Sequence, residues 1–330
     1  MDTKRMISGI KPSGHLTLGN YIGALQNFVK YQDDYEMFVF IANLHTITVP
    51  QDPSELRNNL EEAALLYLAA GLNPQKATIF LQSDVLEHTQ LGHILACYSY
   101  LGELNRMTQY KDKVAKGETN HTVGFYTYPT LMAADILLYD AHFVPVGIDQ
   151  KQHVELTRDI AERMNNRYNK ELFLIPEPLL EEVGVKIYDL QEPTKKMSKS
   201  DISDKGCIYL MDTPKKARKK IMSAVTDSLD KIAYDPINQP GISNLIVIAA
   251  SLKKVSIEAI LLETQDLRYG EFKKYVADIV VDTLETIQNK YAEIKEQNIL
   301  QEVLVDGANK ARTIANKKLK EVQRTIGIEL

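Results

Sequence analysis

Through the first 190 residues, short apolar runs alternate with longer segments of helical period. Arg5–Ser8, Glu36–Ala42, Ala77–Gln82 and His142–Val146 are rich in Ile, Val and Phe and predict buried strands. Between them Gly19–Tyr31, Ser54–Ala70, Leu86–Tyr100, Leu131–Tyr139 and Asp149–Asn166 predict helices. The second of these helices is well punctuated, with Asp52 as N-cap, Pro53 in the first turn and Gly71 as the stop. Such alternation predicts βαβ units and a doubly wound parallel sheet of the α/β class, with ligands at the carboxyl ends of the strands. After about Gln191 the strand-like runs fade. Ile242–Leu252, Ser256–Leu262, Gly270–Glu296 and Ile299–Thr325 then predict a second, all-helical domain.

Composition narrows the class. The chain has 330 residues, 44% hydrophobic, with net charge −5, which excludes a disordered chain and a nonspecific coat for nucleic acid. No run reaches the ~20 apolar residues of a bilayer span. The N-terminus passes from Asp2, Lys4 and Arg5 to a turn at Gly9 without an apolar leader, so a cytoplasmic protein without membrane association is expected. Cys97 and Cys207 have no neighbouring thiol, which excludes a disulfide framework and a CxxC site, and both are expected to be buried apolar residues. Basic residues gather at Lys215–Lys220 and again at Lys310, Arg312, Lys317, Lys318, Lys320 and Arg324. Each group taken alone predicts a solvated helix face.

Two segments carry candidate chemistry. Ser8-Gly9-Ile10-Lys11-Pro12-Ser13-Gly14-His15-Leu16-Thr17-Leu18-Gly19-Asn20 is rich in glycine and small hydroxyls at a strand-to-helix turn. There the backbone lets a ligand approach and the helix start favours an anion, although a plain tight turn fits the same residues. Lys195-Lys196-Met197-Ser198-Lys199-Ser200-Asp201 stands where the sheet pattern gives way to helices. It predicts a cationic loop able to close over a polyphosphate; the alternative is a solvated basic linker.

Together the two segments resemble the signatures of the class I aminoacyl-tRNA synthetases: KMSKS in full at Lys196–Ser200, and a HIGH-type motif in the degenerate form Thr17-Leu18-Gly19-Asn20. His15 lies outside the motif and is read as a surface turn residue. The first motif is similar to that of the bacterial members specific for tryptophan. So are Tyr128–Tyr139 and Val144–His153, and the resemblance runs on through Thr157-Arg158-Asp159 and Pro240–Leu245.

The resemblance implies a ligase that makes an aminoacyl-adenylate from L-tryptophan and ATP, with magnesium carried on the ATP phosphates and no structural metal. It implies transfer of the aminoacyl group to tRNA(Trp) by a homodimer. By this likeness Thr17, Asn20, Lys113, Lys196 and Lys199 are the catalytic residues. ATP would meet Lys11, Pro12, Ser13, Gly19, Asn20, Gly147, Ile148, Asp149, Ile187 and the loop Lys196, Met197, Ser198, Lys199 and Ser200. Tryptophan would meet Tyr128, Met132, Asp135, His45, Val144, Val146 and Gln150. Residues 1–190 would be the Rossmann-like catalytic domain, 191–295 the loop and helical anticodon-binding domain, and 296–330 a helix packing back on the first.

Spacing adds a physical argument. Met132, Asp135 and Tyr139 stand at i, i+3 and i+7, so one carboxylate lies on an apolar helical stripe. A buried carboxylate needs a donor, and an indole N–H only donates; a lysine would serve as well. Lys11 stands where many family members have glutamine, Ile7 where an aromatic residue is common, Asn43 where aspartate is common, and Thr130 replaces a second proline. A tyrosine-specific relative would need a phenol-binding pair in place of Met132 and Asp135.

Overall fold

The computed structural model describes residues 3–12, 14–115, 122–180, 186–197 and 204–329, apart from the side chains of Asp149 and Leu180. Five parallel strands, β1 (Arg5–Ile10), β2 (Glu36–Ile41), β3 (Ala77–Leu81), β4 (Phe143–Val146) and β5 (Glu177–Leu180), pair in the order β3-β2-β1-β4-β5. Met6 lies opposite Met37, Phe38 opposite Thr78, and Val144 opposite Pro178. After Glu36, every residue of β2 is buried, as a sheet covered on both faces requires. Met37, Val39 and Ile41 feed one core, while Phe38 and Phe40 feed the other. The order reverses between β1 and β4, so a crevice forms at their carboxyl ends.

The crossovers are α1 (Leu18–Asn20), continued by a π-helical stretch Tyr21–Leu25 and α2 (Gln26–Tyr31); α3 (Asn43–Thr46) and α4 (Pro53–Ala69); then α5 (Glu87–Cys97), α6 (Leu101–Leu104), α7 (Thr108–Ala115), α8 (Val123–Leu137) and α9 (Lys151–Tyr168). Asp52 caps α4 as read from sequence, accepting from the amides of Ser54 and Glu55. Several elements differ from the sequence expectation, with α3, α6 and α7 present as additional helices. β5 is new, an edge strand carrying Pro178, which a sheet tolerates at its margin. α8 begins at Val123 rather than Leu131, capped by Thr122, with Pro129 inside it.

Beyond the sheet come α10 (Pro214–Met222), α11 (Pro240–Lys253), α12 (Ile257–Thr264), α13 (Tyr269–Gln297) and α14 (Leu300–Ile326). α13 packs on α4, so the core of one sheet face continues into Leu245, Phe272, Val276, Val280 and Leu284. α14 returns to the sheet and adds Ala308, Ala311, Ala315, Leu319 and Val322 to the other core. Among the described residues no helix is long and apolar enough to cross a membrane.

Gly307 lets α14 lie directly on β3, because a Cβ there would collide with the carbonyl oxygen of Ile79. Gly307→Ala is expected to lower the free energy of unfolding by about 1–3 kcal/mol, read from the urea midpoint. Gly270→Ala, whose Cβ meets open space, should leave the midpoint nearly unchanged.

Three expectations about single residues need correction. Cys97 is exposed; only Cys207 is buried. Lys220 is not on a solvated face: it is buried, with Nζ 2.7 Å from Asp212 and 2.6 Å from the Cys207 carbonyl. Lys318 is likewise buried, paired with Asp140 at 3.0 Å and donating to the Leu172 carbonyl. Both leave the basic groups because internal carboxylates and carbonyls offset their charge more effectively than an isolated burial would allow.

Candidate active site

The turn after β1 leads into a self-capped helix start. Thr17 Oγ1 accepts from the Asn20 amide at 3.1 Å, and Asn20 Oδ1 accepts from the Thr17 amide at 3.0 Å. The two residues therefore satisfy each other and aim the remaining helix amides at the crevice. Leu18 donates to the Ile208 carbonyl and Leu210 to the Leu16 carbonyl, at 2.8 and 2.9 Å, which ties this turn to the chain leaving the cationic loop. Ile187 and Met197, both buried, flank Gly19 and are themselves joined by a 2.9 Å backbone bond. Thr17, Gly19, Asn20, Ile187 and Met197 thus come together as expected. His15 stays at the surface with Glu62.

Asp189 and Leu190 hold both ends of the loop. The Asp189 amide donates to the Lys195 carbonyl and the Leu190 amide to that of Gly206, each at 2.9 Å. Asp189 Oδ1 caps the turn at Gln191 and Glu192, and only glycine at 206 leaves room for that carboxylate. Lys196 is exposed at the loop's start. Ser13, Ser198, Lys199 and Ser200 lie outside the described residues.

A second constellation surrounds Asp135, which is 1% exposed. Oδ2 accepts from His45 Nε2 at 2.7 Å, and Oδ1 accepts from His88 Nδ1 at 2.6 Å and Gln82 Nε2 at 2.7 Å. Burial pushes this carboxyl up. His45, by electrostatics and its hydrogen bond, and then the hydrogen bond from His88 more than reverse that and hold it at about 2. Its partners are thus two histidines and a glutamine, in place of the lysine considered from sequence. Tyr139, one turn on, reaches the same cluster through His88 Nε2, 2.8 Å from its hydroxyl.

The Asp135 cluster is connected to the turn after β1 through rings. The His45 ring stands edge-on to Tyr128 at 6.1 Å, and Lys11 Nζ lies 5.2 Å from the centre of the Tyr128 ring. Lys113 Nζ lies 4.5 Å above Phe125, the next ring along α8. Desolvation, followed by repulsion from Lys113, lowers the Lys11 pKa, so two ammonium groups converge where an anion would relieve both. Tyr128 donates to Gln109 at 2.8 Å and meets His153. Val144 is buried and Met132, Val146 and Gln150 half-buried around this end of the sheet, while Gly147 and Ile148 are exposed just past β4. Pro12 is buried beside Lys11.

Gln82, His88, Gln109 and His153 were not singled out from sequence. Gln82 had one signal, its place at the carboxyl end of a predicted strand; there its Oε1 also accepts from the Leu44 amide. His88 had none. A cavity of about 650 Å³ lined by Thr3, Arg5, Tyr35, Glu36 and His142 opens at the opposite ends of β1 and β2, away from all of these groups.

The sheet order, the capped helix start and the loop tied to it define a class I synthetase catalytic fold. The chain belongs to the family "tRNA synthetases class I (W and Y)", which matches residues 2–285. It is similar to the tryptophan–tRNA ligase of Malacoplasma penetrans, 52% identical over 98% of each chain. Among solved structures it resembles tryptophanyl-tRNA synthetase from Mycoplasma pneumoniae, with TM-score 0.90 and 39% identity over 99% of this chain and 98% of that one. The Campylobacter jejuni synthetase, solved with ADP and tryptophan, gives TM-score 0.83 and 39% identity over 98% and 99%.

Proposed function

We propose that this chain is a tryptophan–tRNA ligase that reads the indole N–H with Asp135 and activates the amino acid between the Asp135 cluster and the helix start at Thr17–Asn20. The observation that carries the reading is a fully buried, ionised carboxylate held by His45, His88 and Gln82, next to a buried histidine atom without a protein partner. That atom is His45 Nδ1, which among the described residues is left for a ligand to satisfy.

In the first step a tryptophan carboxylate oxygen attacks the α-phosphorus of ATP and the bond to the β-phosphate oxygen breaks, giving tryptophanyl-adenylate and pyrophosphate. In the second, a hydroxyl of the terminal tRNA ribose takes the aminoacyl group and AMP leaves. No side-chain nucleophile takes part. The chain positions the reactants and stabilises charge, with the helix amides at Gly19 and the ammonium groups of Lys11, Lys113, Lys196 and Lys199 directed at phosphate. The charged side chains described at this end, Lys11, Lys113 and Lys196, offer magnesium no ligand, so the ion would be held by the phosphates themselves, where it would neutralise the leaving pyrophosphate. Ile187 and Met197 supply the apolar walls for adenine, and Gly147, Ile148, Asp149 and Gln150 stand where ribose and the substrate ammonium are expected.

The reading extends to the organisation of the chain: a catalytic domain over 1–190, a loop and helical tRNA-reading part over 191–295, and a returning helix over 296–330. Lys216 and Arg218 pair with Asp204 and Asp278, so the exposed Lys215 and Lys219, with Lys310, Lys317 and Lys320 on α14, are the stronger candidates for tRNA phosphates. Exposed Leu86, Tyr100, Leu101 and Val123 support assembly as a homodimer, and the cytoplasm is the compartment where its tRNA would be charged.

ATP–pyrophosphate exchange over a panel of amino acids tests the reading. Exchange is expected with tryptophan and not with tyrosine or phenylalanine; exchange driven by tyrosine would overturn it. The chain contains no tryptophan, so indole emission from the purified protein reports bound substrate directly. Titration with tryptophan should give a saturable, blue-shifted indole signal.

A further inference from the structure

We infer that His88, backed by Tyr139, is a positioning residue for amino-acid selection: it fixes the Asp135 carboxylate so that Oδ2 is the oxygen presented to the substrate ring N–H. This rests on the reading of Asp135 as the indole acceptor and adds the residues that make it selective.

His88 is 0% exposed, so it does not touch a ligand in the crevice. Its ring is held on several sides, by Phe40 at 5.9 Å, Phe80 at 6.0 Å and Tyr139 at 5.6 Å. Tyr139 is itself fully buried, 4.9 Å from Phe38. Burial, then the charges of Asp135 and Glu87, keep the Tyr139 hydroxyl protonated. The Asp135 carboxylate can only accept, so the proton of the neutral His88 ring sits on Nδ1, 2.6 Å from Asp135, and Nε2 accepts from the Tyr139 hydroxyl at 2.8 Å.

The acceptor count on Asp135 then becomes unequal. Oδ1 receives both His88 and Gln82, whereas Oδ2 receives His45 alone. With about two acceptor sites per carboxylate oxygen, Oδ1 is filled and Oδ2 keeps one open. Oδ2 is also the oxygen on the His45 side, and His45 faces Tyr128 and the crevice. Without His88, Gln82 and His45 still hold one oxygen each, but Oδ1 regains an open acceptor site and Oδ2 is no longer the single oxygen left to present.

The test uses the full-length protein in ATP–pyrophosphate exchange with tryptophan and with 3-benzothienylalanine, the isostere with sulfur in place of the ring N–H. The wild type should prefer tryptophan by about 10⁴ or more in kcat/KM. His88→Met should reduce that preference about 10- to 100-fold, the worth of one hydrogen bond to a charged group, while leaving kcat/KM for the sulfur isostere and KM for ATP nearly unchanged. His88→Asn, whose amide N–H replaces Nδ1–H, should restore most of the preference. Tyr139→Phe, which removes only the hydroxyl, should reduce it about 3- to 10-fold; these two variants answer the question if His88→Met does not fold. Wild-type discrimination retained in a folded His88→Met, or in Tyr139→Phe, overturns the role of His88, as does an equal loss for both amino acids. A wild-type protein that accepts the sulfur isostere as readily as tryptophan overturns the assignment of Asp135 itself.

Discussion

Asp135→Ala is expected to lower kcat/KM for tryptophan in ATP–pyrophosphate exchange by about 10⁴, with KM for ATP little changed. The size follows from the enclosure. A site built to pair a polar substrate group cannot offer water as a substitute partner, and here the same change also strands three buried donors, on His45, His88 and Gln82. Each stranded donor costs stability of about 1–3 kcal/mol, so the comparison belongs at a temperature where circular dichroism shows the variant folded. The Asp135 carboxyl is held at about 2, below its ordinary 3.8, so it stays ionised at any working pH. Its contribution to folding is complete above its ordinary value and is lost as pH falls from about 4 toward 2. Parallel loss of tryptophan and ATP use would mark Asp135 as a structural carboxylate.

Lys113→Ala is expected to slow the same exchange by about 10²–10³ in kcat, the scale for one charge-stabilising donor. Lys113 and Lys11 lie on adjacent aromatic rings of α8 and repel each other, a repulsion that a phosphate bound beside them would relieve. The tryptophan-induced indole signal should survive in this variant, because the residues proposed to hold the indole, Asp135, His45 and Val144, are left in place. Unchanged exchange with saturating ATP would remove Lys113 from the phosphate site. Lys199→Ala, on the cationic loop, carries the same expectation for exchange.

Much of this arrangement is legible in the order of residues along the chain. The strands stood out because both faces of the sheet are covered, so β2 is apolar at almost every position. The long helices α13 and α14 stood out through their period and ended within two residues of the boundaries read from sequence. β5 was hidden by Pro178, and the start of α8 by Pro129, because a residue that usually ends elements here sits inside them. Lys220 and Lys318 looked like surface charge because a sequence does not reveal that the buried Asp212 or the half-buried Asp140 lies within reach.

The chain by itself determined the local features: a helix start near Gly19, a cluster of lysines in the stretch Lys195–Ser200, and a carboxylate on an apolar stripe at Asp135. Each depends on residues within about one or two helical turns of one another, and that spacing is written in the order of the chain. Only tertiary structure decided what Asp135 would meet. His45, Gln82 and His88 come from three other elements, 90, 53 and 47 residues away along the chain. What joins them is the parallel sheet, which gathers the carboxyl ends of β2 and β3 at one edge and closes α5 and α8 over them, so that a buried charge finds its donors across the fold.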